Sequence, residues 1–247
     1  MRPASPHEDA IGEAVEGLDF GSIEGEFRAQ DRFVFVPRFL PPELVASMIV
    51  EARQFDARDV YRANVPLLRK AGAVGQAQIA ERAPALRALY HSPSFLGFAS
   101  RLAGTPLSLR HPDDAHAVSL YYYQRPGDFM AFHYDDCGCD SEASFTATFG
   151  LVHDTKARVQ VQLFKREPAR PMKELFVEMV PGSLLFFCGT RVYHRVTPLG
   201  KDEERITYSF SYVRGNRPSR GWRRLRENVS DAIFYFGPRA LFQKNYG

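Results

Sequence analysis

His133 and Asp135 flank Tyr134 in the segment FMAFHYD, His194 lies far downstream in TRVYHRV, and Arg205 heads the segment RITYSFSYV. A histidine and an aspartate two residues apart at a strand end can face one ion if the chain bends there. A histidine from a facing strand completes the set. Two imidazoles and one carboxylate on one face of Fe(II) leave the opposite face open for reactants. A His-x-Asp alone is weak evidence, because it recurs by chance, and a lone strand histidine is usually a hydrogen-bonded structural group.

Arg205 strengthens the pattern. With a period of two, Arg205, Thr207, Ser209 and Ser211 share one strand face, while Ile206, Tyr208, Phe210 and Tyr212 share the other. The apolar face suits packing against helices, so the polar face lines an interior. A guanidinium there needs an anion, and a carboxylate matches it bidentately.

These residues require facing strands, and the chain supplies them. From Ala117 onward it reads as short strands: Val118–Gln124, Ser144–Val152, Arg158–Phe164, Leu175–Val180, Ser183–Cys188, Val192–Pro198 and Arg205–Val213. Turn signals separate them, which predicts an antiparallel sandwich or barrel. Residues 1–30 read as an acidic, partly disordered leader. Residues 31–105 read as a mainly helical extension, with a short strand at Phe33–Pro37 and a helix started by Pro41-Pro42-Glu43. A Gly-containing loop then precedes helices over Ala77–Tyr90 and Pro93–Ala103. Residues 106–215 read as the β core that would carry the site, and 216–247 as a helical, aromatic tail, all within one integrated domain.

The 247 residues carry a net charge of +3, with 45% hydrophobic and 25% charged residues, an ordinary globular balance. No run approaches a membrane span, no signal peptide is evident, and three cysteines make no disulfide framework. A cytoplasmic protein without a membrane partner is expected. The arginines from Arg214 to Arg226 read as a solvated face before a nucleic-acid patch.

The order His133-x-Asp135, His194, Arg205-x-Thr207 resembles the Fe(II)/2-oxoglutarate-dependent dioxygenases over about residues 105–215. The resemblance implies a mainly β fold, a double-stranded β-helix (jelly-roll, cupin-like) core flanked by helices. It implies His133, Asp135 and His194 as iron ligands, with Fe(II), 2-oxoglutarate and O2 as metal and cosubstrates. It implies Arg205, assisted by Thr207, as the holder of the distal carboxylate of 2-oxoglutarate. Tyr121 or Tyr123, which share a strand face, is the expected donor to the cosubstrate, and Ser209 is a weaker candidate.

The motifs Tyr-x-x-Pro-Gly-Asp and His-Arg-Val-x-Pro-Leu are similar to those of small bacterial enzymes acting on free amino acids, including halogenases. In the halogenases glycine replaces the carboxylate of His-x-Asp. Asp135 therefore points to hydroxylation of a small molecule, an amino acid or natural-product intermediate. Rival readings are a protein or nucleic-acid hydroxylase or demethylase of the same superfamily, and a non-catalytic metal-binding β-barrel. Cys137 and Cys139 could form a thiolate zinc site, but no second pair has zinc spacing. Asp136, Asp140 and Glu142 could meet a cationic substrate, and Arg191 or Arg195 a substrate carboxylate, though solvent exposure is the plainer reading for each. His111, His116 and His153 have no partner pattern.

Overall fold

The computed structural model describes residues 6–110, 114, 117–135 and 144–214. Residues 6–29, expected as a partly disordered leader, are two helices, α1 (Pro6–Glu16) and α2 (Phe20–Ala29). Two apolar anchors explain the difference: Ile11 and Phe27 are buried in the main core, with Phe27 packed on Phe186. β1 (Phe33–Val36) and α3 (Pro42–Arg53) follow as the proline start signal predicts.

The loop expected before residue 77 is instead a hairpin of β2 (Tyr61–Val65) and β3 (Arg69–Gly75). The helix expected over Ala77–Tyr90 is two, α4 (Gln76–Arg82) and α5 (Pro84–His91). Pro84 has no N–H to donate and disfavours helical geometry at Ala83, which sits at φ −127°, ψ 77°. α6 (Pro93–Ala103) ends at Gly104 as expected, and the Ser92 hydroxyl accepts from the Phe95 N–H at its start.

The remaining strands are β4 (Leu107–Leu109), β5 (Val118–Tyr123), β6 (Phe129–His133), β7 (Ser144–Asp154), β8 (Val159–Leu163), β9 (Lys173–Val177), β10 (Leu184–Cys188), β11 (Tyr193–Val196) and β12 (Glu204–Arg214). They form one antiparallel sheet in the order β1-β10-β7-β12-β5-β3-β6-β11-β8-β9, with β2 on β3 and β4 on β12. Its two ends meet. Phe33, Leu185 and Phe187 of β1 and β10 pack with Val159, Val161, Leu163 and Val177 of β8 and β9 in one buried cluster. Side-chain packing thus closes a jelly-roll core that hydrogen bonds leave open.

The outer face carries the main core. Tyr208, Phe210 and Tyr212 join Phe145, Phe149 and the helical residues Leu86, Phe95 and Phe98. Each such buried large side chain contributes roughly 1.5–3 kcal/mol. The phenols stay satisfied: Tyr208 donates to the Leu86 carbonyl and Tyr212 to that of Tyr90. Helices on the outside therefore fix which β12 face points inward, and that face carries Arg205, Thr207 and Ser211. No helix among the described residues is long and apolar enough to cross a membrane.

Candidate metal centre

β6 and β11 are antiparallel neighbours, and His133 and His194 are direct partners in their register. Their rings lie 4.3 Å apart, centroid to centroid. Asp135, just past the end of β6, places Oδ1 3.3 Å from His133 Nε2 and 3.8 Å from His194 Nε2. One ligand atom from each residue falls within 4.8 Å of the others. Each histidine donates Nδ1–H to a backbone carbonyl, His133 to Ala131 at 2.8 Å and His194 to Val192 at 3.2 Å. That fixes the tautomer and leaves both Nε2 lone pairs for an ion.

Asp135 is held from behind. Its Oδ2 accepts from the Thr146 hydroxyl of β7 at 2.7 Å, which leaves Oδ1 for the ligand face. Gly189 packs directly on its backbone. A Cβ there would lie 2.4 Å from the Asp135 carbonyl oxygen and 2.9 Å from its Cβ, closer than real contacts allow. Gly189→Ala should therefore displace Asp135 and weaken metal binding while the circular dichroism of the sheet persists. Unchanged affinity in a metal titration would show that Asp135 is not a ligand.

The charges agree with a cation site. Burial opposes ionisation of Asp135, but His194, His133 and the Thr146 donor outweigh it and hold the carboxyl well below its usual range. Burial and then His133 push His194 down to about 4, so it stays neutral. His133 is raised despite its burial, because Asp135 hydrogen-bonds it. A metal ion would displace that proton on binding.

On the other side of the interior, Arg205 is 2% exposed, and its Nε and Nη1 are buried without a hydrogen-bond partner. Unpaired buried charge is costly, so the site fits an anion. The two candidate tyrosines divide. Tyr123 sits under Arg205, with 5.1 Å from guanidinium carbon to ring centroid. Tyr121 lies under a second buried guanidinium, Arg69, at 5.3 Å. Burial pushes the Tyr121 phenol up to about 12, so it remains a neutral donor. Thr207 follows Arg205 on the inner face and is buried.

Arg69 is fully buried, and sequence reasoning missed it because its strand was read as loop. His153, also given no role, is the direct partner of Arg205 across β7 and β12. Other candidates are engaged elsewhere: Ser209 with Thr148, Arg191 with Asp31 and Arg195 with Gln160. Asp136, Cys137, Cys139, Asp140, Glu142, His111, His116 and the arginines beyond Arg214 lie outside the described residues.

A family model described as Halogenase D matches residues 20–138. No curated protein matches the sequence. Among solved structures, the non-heme α-ketoglutarate-dependent epimerase SnoN from nogalamycin biosynthesis is 21% identical with a TM-score of 0.66, covering 81% of this chain and 83% of its own. The fold is that of the iron- and 2-oxoglutarate-dependent oxygenases. Two further structures agree. The carbocyclase SnoK, of the same biosynthesis, is 16% identical with a TM-score of 0.63, covering 81% and 85%. A Pseudomonas putida prolyl-4-hydroxylase is 20% identical with a TM-score of 0.57, covering 80% and 99%.

Proposed function

We propose that the protein is an Fe(II)/2-oxoglutarate-dependent oxygenase that hydroxylates an unactivated C–H bond of a small molecule, an amino acid or natural-product intermediate. The observation that carries this reading is the pairing of two sites in one oxygenase-type interior. One is a tautomer-locked His133–Asp135–His194 set, and the other is the buried guanidinium of Arg205, whose Nε and Nη1 have no partner. His133, Asp135 and His194 would hold Fe(II). Arg205 and Thr207 would hold the distal carboxylate of 2-oxoglutarate, and Tyr121 would donate to its metal-proximal end.

Bound iron and 2-oxoglutarate would supply, with O2 as co-reactant, an oxidant for C–H bonds, one oxygen atom ending in succinate as CO2 is released and the other in the substrate. The chain's residues bind, orient and keep water out; Phe187 packs edge-on against the His194 ring on the apolar side. The small-molecule reading is supported by the likeness to SnoN and SnoK, whose names place them in nogalamycin biosynthesis. The likeness to prolyl hydroxylases favours a second reading, a protein substrate. Mass spectrometry of amino acids, natural-product intermediates and proline-containing peptides incubated with Fe(II), 2-oxoglutarate and O2 separates the two. Absence of succinate under all conditions would leave a non-catalytic metal-binding barrel.

The match to a halogenase family raises a sharper question, because Asp135, as an iron ligand, would fill the position that a halide needs. Even in high chloride the native protein should yield only oxygenated or desaturated product. Asp135→Gly should lose most hydroxylation and, at most, form a minor halogenated product. A chlorinated product from the native protein would remove Asp135 from the ligand set.

A further inference from the structure

The register between β7 and β12 slips once, between Ile206 and Thr207. Thr207 faces Gly150, yet Ile206 faces Val152, so Leu151 is an extra residue on β7. Without this bulge Arg205 would face Val152. With it, Leu151 is buried in the main core, Val152 packs against that core, and His153 faces Arg205 on the inner side. Bulges of this kind re-aim a side chain beside a site. Directly opposed residues hold their Cβ atoms about 4.5–5.5 Å apart, so one small group can touch both side chains.

The side chains match that placement. Arg205 Nε and Nη1 and His153 Nδ1 are all buried without a hydrogen-bond partner. The surrounding charges are otherwise engaged. Arg158 pairs with Glu178, and Glu203 accepts from the Thr155 hydroxyl and from the backbone of Lys156 and Gly200. We propose that His153 and Arg205 clasp one carboxylate between them, the distal carboxylate of 2-oxoglutarate, and that His153 takes up a proton as the clasp closes. This rests on the oxygenase reading above and adds to it a second, titrating hand for the cosubstrate.

The direction of the pH effect follows. Burial first, and then Arg205 and Arg158, hold His153 below its ordinary value, against the opposing pull of Glu178 and Glu203. In the empty clasp His153 is therefore neutral at neutral pH, beside the charged Arg205. A bound carboxylate favours the protonated ring, so affinity should rise as pH falls through the neutral range.

The test is calorimetric titration of the anaerobic Fe(II)-loaded protein, with metal content checked at each pH. The ligands are 2-oxoglutarate and 2-oxovalerate, the same chain ending in a methyl group. His153→Ala should weaken 2-oxoglutarate about tenfold or more, the size of one hydrogen bond to a charged group, and leave 2-oxovalerate unchanged. His153→Asn, which keeps a donor near Nδ1 but cannot titrate there, should restore most of the affinity and none of the pH dependence. Equal losses for both ligands would mean that His153 only supports the strand, and overturn the clasp. So would a native-like 2-oxoglutarate affinity and pH slope in His153→Ala. If the native iron-loaded protein bound no 2-oxoglutarate, the oxygenase reading would fall, and the clasp with it.

Discussion

His194→Ala should abolish succinate formation and reduce Fe(II) affinity by more than the ~10–100-fold that the loss of an outer partner costs. The residue is one of three candidate ligands, and its Nε2 is left for an ion, since Nδ1 is spent on the Val192 carbonyl. The fold should survive, because the ring's removal leaves the closing cluster around Phe187, Val161 and Val192 in place. Metal titration beside thermal melting checks both halves. A variant that still binds iron as the parent does would dismiss the triad.

Replacing Arg205 with methionine should have the opposite signs for binding and for stability. Removing one partner of a buried charge pair costs about 3–5 kcal/mol, or roughly two to four decades in affinity, so 2-oxoglutarate should bind far more weakly. Fe(II) affinity should hardly move, because Arg205 is not among the metal-binding group. The ligand-free variant should melt higher than the parent, since the substitution removes two orphaned donors from the interior and nearly preserves volume. Parent-like 2-oxoglutarate affinity in calorimetry would mean that the anion sits elsewhere.

What the sequence made legible follows from how narrowly each feature is determined. Chelation restricts residue type, so His133, Asp135 and His194 stand out in the bare chain. The alternation in RITYSFSYV is forced by a helix-covered outer face, so the inward direction of Arg205 was readable as well. The β2–β3 hairpin was not. Ala71, Gly72 and Ala73 have little strand preference. Gly72 is small because its neighbours crowd it: a Cβ there would meet Val60 at 2.6 Å and Tyr122 of β5 at 3.2 Å. With that strand unread, Arg69 could not be placed beside Tyr121. His153 was hidden for a different reason. Only a one-residue bulge puts it opposite Arg205, and nothing in the residue types around Leu151 marks where a register will slip. The break at Pro84 was visible in the sequence, but a helical stripe on both sides masked it.

The attachment of Asp135 to Thr146 reaches further than ligand geometry. His133 and His194 belong to the β6–β11 side of the curled sheet, whereas Thr146 and Gly189 belong to the β7–β10 side. The Thr146 hydrogen bond and the Gly189 contact therefore tie the candidate ligand set to the opposite side of the barrel. Ligand binding to the folded state alone stabilises it by mass action. Loss of the ion should then lower the melting temperature of the protein as well as its activity.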